Sequence, residues 1–369
     1  MGNSPSLERF RRIPNGKYQL HSMAFIFVFF SRDYRMIFRF VAALAWSGFA
    51  VGLATSARGV EVGEQVQRFG DEIVVCGQLF HTTAPVVLWM DPGGYDAYRV
   101  ERRFSSLDAS SWEQTAQEVP ALDSPNRYGI RQAGLSPEQL EKFRGGGWDL
   151  PSLQNVVDQF VMHYDVCGLS EICFKVLHDR RGLSVHFMLD IDGTIYQTLD
   201  LKERAWHATI SNSRSIGVEI ASIGAYSEKG KDVLDHWYAT DAQGDVHLRP
   251  PRTVGHLGLR TQPFYGRPDR EEMIVGTIQG TELYQYDFTP EQYDSLIKLT
   301  ATLCRVFPKL KCEYPKDAQG QLIPHQLTDK QWQEFSGVLG HYHVQLNKVD
   351  PGPAFHWAKV VNGAAKLLE

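Results

Sequence analysis

Residues 185–201 read VHFMLDIDGTIYQTLDL, two short apolar runs that meet at Asp192-Gly193. An Asp-Gly pair between alternating apolar runs is a strong short-range signal for a β-hairpin. The segment therefore predicts two antiparallel strands near the middle of the chain.

Apolar runs on either side of this segment predict further strands. Residues 160–166 (FVMHYDV) and 215–224 (SIGVEIASIG) are almost continuously apolar and rich in β-branched or aromatic residues. Such runs are expected for strands that are buried on both faces of a sheet. Residues 71–103 contain shorter runs of the same kind between turn-like Pro and Gly residues.

The clearest helix is predicted over residues 289–307. Thr289 can cap it, Pro290 suits its first position and Gln292 completes a capping box. Helices mixed with strands indicate an α/β or α+β domain built on one sheet.

Changes in composition divide the chain of 369 residues into three parts. We interpret residues 1–57 as a signal peptide with an upstream extension, and 58–150 as a small β-rich N-terminal region and linker. Residues 151–369 form the main domain. A polar stretch at about 225–286 interrupts that domain, and such an excursion is either functional or disordered.

The N-terminal part has the pattern of an export signal. Basic residues Arg35 and Arg39 precede the apolar run FVAALAWSGFAVGLATSA, which ends in small residues near Ala57. Met36 is an alternative start for such a signal. We therefore expect an exported protein, periplasmic or extracellular. An uncleaved anchor is the alternative, which leaves open a membrane association through this apolar segment.

Charge argues against nucleic acid as a partner. The formal net charge is −5, and the first 57 residues are basic, so the remainder is more acidic still.

Cysteine usage leaves the pairing open. Cys167 and Cys173 are close in sequence, as are Cys304 and Cys312, while Cys76 is left over. Export would permit disulfides, but spacing alone does not define which cysteines pair. No CxxC motif occurs, which argues against a cysteine-based zinc site.

Two residues that could take part in catalysis or metal binding lie within predicted strands. His163 and Glu219 each sit within an apolar, strand-like run. A buried carboxylate is costly unless it is paired or functional. On pattern alone, a hydrogen-bonded core histidine and a solvated or Arg-paired glutamate remain the simpler interpretations.

Residues 340–357, GHYHVQLNKVDPGPAFHW, contain three histidines, one lysine and one aspartate. In an extended segment His341 and His343 point to one side, so both could reach the same cleft. Lys348 and Asp350 would share a face for the same reason.

The motifs RAWHA, SIGVEI and DPGPAF, in this order, resemble the zinc-dependent N-acetylmuramoyl-L-alanine amidases of bacteria (amidase type 2). The chain is similar, more distantly, to phage lysozyme-type amidases and animal peptidoglycan-recognition proteins. The resemblance covers roughly 155–368, with 225–286 outside it. It implies an α/β fold with a single mixed β-sheet flanked by helices, and makes 151–369 the amidase catalytic domain.

The resemblance also implies the site. His163, His341 and Asp350 match the family's Zn²⁺ ligands, with His341 rather than His343 following the glycine as the family's ligand does. Glu219 matches its acid–base residue, and Lys348 the lysine that stabilises an oxyanion. Two imidazoles and one carboxylate form the ligand set of a catalytic zinc site.

Three further residues are expected to bind substrate: Trp206, His207 and His186. Trp206 and His207, within RAWHA, are expected to line a groove, although a packed structural motif explains them equally well. His186 begins a hairpin strand and faces either the cleft or the core. Cys167 and Cys173 resemble a short disulfide of the animal relatives.

The implied function is hydrolysis of the amide between N-acetylmuramic acid and L-alanine, in peptidoglycan or its fragments. The alternatives are a non-catalytic peptidoglycan-binding protein and a zinc amidase of the same fold that acts on another amide. The implied partner is peptidoglycan or a muropeptide, and the sequence leaves open whether this is the intact sacculus or a soluble or anhydro-muropeptide.

Overall fold

A computed structural model of the chain describes residues 61–132 and 134–369. The predicted signal peptide at 1–57 lies outside the described residues. Gln65–Glu369 form one compact unit. In the described part of the chain, no helix is both long and apolar enough to cross a bilayer.

The strands are short. They are β1 (Glu72–Val75), β2 (Gln78–His81), β3 (Val86–Leu88), β4 (Tyr128–Ile130), β5 (Gln159–Tyr164), β6 (Phe187–Leu189), β7 (Ile195–Gln197), β8 (Glu203–Ala205), β9 (Ser215–Ile220), β10 (Tyr238–Thr240), β11 (Val246–Leu248), β12 (Ile274–Ile278), β13 (Thr281–Gln285) and β14 (Gly337–Gly340).

The α-helices range from one turn to 17 residues. They are α1 (Trp112–Glu118), α2 (Pro137–Arg144), α3 (Leu150–Gln154), α4 (Ser170–Phe174), α5 (Asp232–Trp237), α6 (Pro290–Val306), α7 (Asp329–Glu334), α8 (His341–Val344) and α9 (Trp357–Leu368). A π-helical segment over Lys175–Arg180 continues α4.

One six-stranded mixed sheet organises the molecule, in the order β14-β5-β9-β6-β7-β3. Its first four strands are parallel, β7 is antiparallel to β6, and β3 is parallel to β7. The prediction of a single mixed sheet flanked by helices is thus confirmed.

The hairpin predicted at residues 185–201 is formed by β6 and β7. The backbone N–H of Asp190 donates to the Thr194 carbonyl at 2.9 Å and closes the turn. Gly193 has φ +81°, a conformation that glycine adopts at little cost.

Helix α6 has the predicted cap. The Thr289 side chain accepts from the Gln292 N–H, and the Gln292 side chain accepts from the Thr289 N–H. Its buried residues Leu296, Leu299 and Leu303 join α9 and one face of the sheet in the largest apolar core. Phe160 belongs to the same core, so this face of β5 is covered by α6 and α9.

The N-terminal region contributes to the main sheet. Strand β3 pairs with β7 and forms the sheet edge, while β4 pairs with β8. The predicted boundary at residue 151 therefore separates segments that are hydrogen-bonded to each other.

The polar stretch at 225–286 is folded. It contains α5 and two antiparallel hairpins, β10–β11 and β12–β13.

Candidate active site

Three parallel strands bring polar side chains to one edge of the sheet. His163 is the penultimate residue of β5, and Glu219 occupies the same place in β9, directly opposite it in register. His341 follows the last residue of β14, whose neighbour across the pair is Met162. Because the strands are parallel, their carboxyl ends meet at this edge, where ligands bind in open α/β sheets.

Strand alternation sets the face. Phe160 and Met162 point into the core under α6 and α9, so His163 lies on the opposite face.

His163, His341 and Asp350 form a tight, buried triangle. The Nδ1 atoms of the two histidines are 2.9 Å apart. Oδ2 of Asp350 is 2.9 Å from His163 Nδ1 and 3.0 Å from His341 Nδ1. Their exposed fractions are 2, 5 and 7% for His163, His341 and Asp350 respectively. The three side chains thus converge on one point.

The outer nitrogens of both histidines have partners of their own. His341 Nε2 lies 2.6 Å from Gln345 Oε1, an oxygen that only accepts, so Nε2 carries the hydrogen and Nδ1 keeps its lone pair. His163 Nε2 lies 3.0 Å from His207 Nδ1, and His207 Nε2 lies 3.2 Å from Ser215 Oγ. A hydrogen on Nε2 of both rings satisfies this chain and leaves His163 Nδ1 as an acceptor.

The triangle therefore consists of three acceptors that face one another, an arrangement that a cation stabilises. Burial and the neighbouring His341 lower the pKa of His163 to about 4, which keeps the imidazole neutral. Burial raises the pKa of Asp350, but the nearby His341 and His163 rings outweigh this and hold it below its ordinary value. A neutral nitrogen pair with an ionised carboxylate fits a zinc ion, and these three residues can hold a metal.

A pocket opens above the triangle. Its lining includes the three triangle residues. It also includes the two predicted reacting residues and two aromatic residues of the RAWHA motif: Glu219, Lys348, Trp206 and His207. The exposed Arg181 lies in the same wall.

Glu219 is partly exposed in this pocket. Burial raises its pKa well above the ordinary value, and the negative charges of Asp350 and Asp165 raise it further. A carboxyl group shifted in this way holds a proton more readily than an exposed one and is suited to proton transfer.

His207 lines the pocket wall and also contacts one of the triangle histidines. Its ring lies behind His163 and bonds to it, so it fixes the orientation of that imidazole. Sequence reasoning left open whether His207 lines a substrate groove or belongs to a packed motif, and it did not predict the bond to His163.

His186 lies outside the pocket. The ring is fully buried and contacts Arg131 and the Glu203 carbonyl, each at 3.0 Å from Nε2, and it accepts from the Gly217 N–H. This position does not support the predicted contact with substrate, because the ring of His186, directly before β6, lies in the interior.

His343 also lies away from the triangle. Residues His341–Val344 form one helical turn, so the assumption of an extended segment is wrong. His343 Nδ1 accepts from the Gly340 N–H, and Nε2 donates to the Ile323 carbonyl at 2.7 Å. Both of its nitrogens are thus used in holding the chain together.

Arg131 is a residue that sequence reasoning missed. Its guanidinium is fully buried and donates to the carbonyls of Leu201 and Ser215, at 2.9 and 2.8 Å, and the hydroxyl of this Ser215 contacts His207. Backbone carbonyls leave no pattern in a sequence, so nothing there marks this arginine.

All five cysteines are thiols in the structure. Cys167 and Cys173 both line the pocket wall. The pairing of these two, and of Cys304 with Cys312, stays a prediction.

A comparison with protein-family models matches residues 153–353 to N-acetylmuramoyl-L-alanine amidase. The match spans more than half of the chain, and the chain belongs to this amidase family. It is accordingly an enzyme, an N-acetylmuramoyl-L-alanine amidase that hydrolyses an amide of peptidoglycan. The predicted family is confirmed.

Solved structures give fainter likenesses. One is a selenomethionine derivative of AmpD, with 17% identity over 66% of this chain and 92% of that chain and a TM-score of 0.28. Another is AmiD from E. coli in complex with anhydro-N-acetylmuramic acid-L-Ala-D-gamma-Glu-L-Lys, with 17% identity over 56% of this chain and 57% of that chain and a TM-score of 0.31. The comparison with curated proteins gives no match.

Proposed function

We propose that this amidase is zinc-dependent and cleaves the bond between the lactyl group of N-acetylmuramic acid and L-alanine. His163, His341 and Asp350 would hold the ion. The supporting observation is the triangle of three buried acceptors, each within 3.0 Å of the other two.

Zinc in such a site supplies a Lewis acid for the scissile carbonyl and lowers the pKa of water. Glu219 takes a proton from the attacking water and returns one to the leaving amine. Its place opposite His163 in the strand register keeps the carboxyl beside the reacting atoms. A cation would offset the charge of Asp350, yet burial would still keep the pKa of Glu219 above its ordinary value.

Lys348 stabilises the negative charge that develops on the carbonyl oxygen. It lines the pocket and lies two residues before Asp350, on the loop that carries this ligand. Lys348 and Arg181 are the cationic side chains of the pocket lining, and they suit the carboxylates of a muropeptide. Trp206 offers an apolar face for the sugar or the peptide stem.

Export of the protein is part of the proposal. It is supported by the basic and apolar pattern at residues 35–57. A substrate outside the cytoplasm is consistent with such a signal.

Digestion of a defined muropeptide by the zinc-loaded protein tests the activity. Mass spectrometry should find the glycan with a free lactyl carboxylate and a peptide with a free L-alanine amine. A chelator should abolish turnover, and added zinc should restore it. Turnover that persists in the chelator would contradict zinc dependence, and cleavage at another amide would support the alternative substrate.

A further inference from the structure

The β12–β13 hairpin contacts both chain segments that carry His341 and Asp350. Ile278 pairs with Thr281, so the hairpin turn consists of Gln279 and Gly280 alone. The side chains of Gln279, at this turn, and Gln285, at the end of β13, reach the two segments separately.

Gln279 binds the segment of His341. Its Nε2 donates to the carbonyls of Tyr342 and Gln345, at 2.9 and 3.2 Å. These carbonyls belong to the end of α8, where helical carbonyls lack partners within the helix. Gln345 in turn places its Oε1 2.6 Å from His341 Nε2. Gln279 therefore fixes the backbone of the residue that orients the imidazole.

The backbone of Gln279 is held in an unfavourable conformation. Its φ is +53°, in the left-handed region that residues with a Cβ seldom adopt. The residue is held there by several bonds besides those to α8. Its own N–H donates to the Pro324 carbonyl at 2.9 Å, and its Oε1 accepts from the Gln326 N–H at 3.1 Å. The strained turn thus aims this amide at α8.

Gln285 binds the segment of Asp350. Its side chain is fully buried, donates from Nε2 to the Pro351 carbonyl at 3.1 Å and accepts from the Ala354 N–H at 3.0 Å. A Cβ on Gly352 would lie only 2.1 Å from Gln285 Oε1. The backbone directly after Asp350 therefore packs on this amide.

The two segments are also joined to each other, because the Tyr342 N–H donates to the Asp350 carbonyl at 3.2 Å. We propose that the β12–β13 hairpin is a positioning device for the metal site, with Gln279 acting on His341 through Gln345 and Gln285 acting on Asp350 through Pro351. The inference rests on the proposed function. Neither glutamine touches the reacting atoms, so both are positioning residues.

Substitution of each glutamine by methionine keeps the length of the side chain and removes its hydrogen bonds. Gln154→Met is the matched control, because the half-buried Gln154 also donates a side-chain hydrogen bond to a carbonyl, that of Val306, and neither residue lines the pocket of the metal site. Zinc affinity of each metal-free protein is measured by competition with a chromophoric chelator. The visible spectrum of the cobalt(II) form reports the ligand geometry, and the melting temperature of the metal-free protein reports stability.

Partners of metal ligands typically contribute about 10–100-fold to metal affinity. We expect Gln279→Met and Gln285→Met to weaken zinc binding by this factor and to change the cobalt spectrum, with Gln154→Met within about twofold of wild type. A lower melting temperature with unchanged zinc affinity in both variants would overturn the inference and leave the proposed function intact. Should Gln285→Met fail to fold, Gln279→Met decides alone. A wild-type protein that binds no zinc would overturn the metal assignment and this inference with it.

Discussion

At the scale of single residues, the roles in the site differ between the side chains near the carboxyl ends of the parallel strands. His163 and Glu219 lie opposite each other, yet only His163 joins the triangle with Asp350. Glu219 lines the pocket instead. This division separates the residues that would hold a metal from the residue that would move protons.

Glu219→Gln should therefore keep the metal and lose most of the activity. The amide retains the shape of the side chain but does not take up or release a proton at neutral pH. Loss of a general acid–base group costs about 10²–10⁴-fold in rate. Turnover of a muropeptide and zinc content are measured on the same preparation. Loss of zinc in this variant would show that Glu219 is a ligand, contrary to the assignment.

At the scale of elements, the capping box of α6 illustrates a prediction that local chemistry alone supports. Thr289, Pro290 and Gln292 follow one another at fixed spacing, and the cap needs no distant partner. What the spacing does not indicate is that Thr289 Oγ1 also donates to the Ile191 carbonyl at 2.7 Å, in the β6–β7 turn. The cap thus ties helix α6 to the hairpin.

Thr289→Ala should lower the free energy of unfolding by about 1–2 kcal/mol. We expect a value near the upper end of this range, because the buried Ile191 carbonyl also loses its hydrogen-bond donor. Thr328→Ala in the exposed capping box of α7 is the control. We expect a smaller loss there. Urea unfolding followed by circular dichroism measures both. Equal losses would show that the bond to Ile191 contributes nothing.

The elements also show where sequence reasoning fails. An extended chain would place both histidines of the HxH pair on one side, but His341–Val344 form a helical turn directly after β14. In a helical turn, residues two apart point in different directions. The short helix is stabilised by tertiary bonds, from Gln279 and to Ile323, which no local pattern reveals.

At the scale of the whole molecule, sequence patterns predicted the central strands, the hairpin and the main helix because each has a strong local signal. The contributions of residues 58–150 and 225–286 depend on long-range contacts. Arg131, in the first segment, donates to the Ser215 carbonyl in β9, and Gln285, in the second, donates to the carbonyl of Pro351, directly after Asp350. Their partners are backbone carbonyls and amides, which every residue possesses, so sequence alone does not mark them.

The central claim is that a metal is held by His163, His341 and Asp350. It is tested most directly by the zinc content of the purified protein and of its His341→Ala, Asp350→Ala and His343→Ala variants, measured by elemental analysis. The account predicts about one zinc ion per wild-type chain and a sharp loss in the first two variants.

The account also predicts near-normal zinc content in His343→Ala. This variant should melt at a lower temperature, because the Gly340 N–H and the Ile323 carbonyl lose their partner. Equal zinc loss in folded His341→Ala and His343→Ala, or a wild-type protein without zinc, would contradict the account.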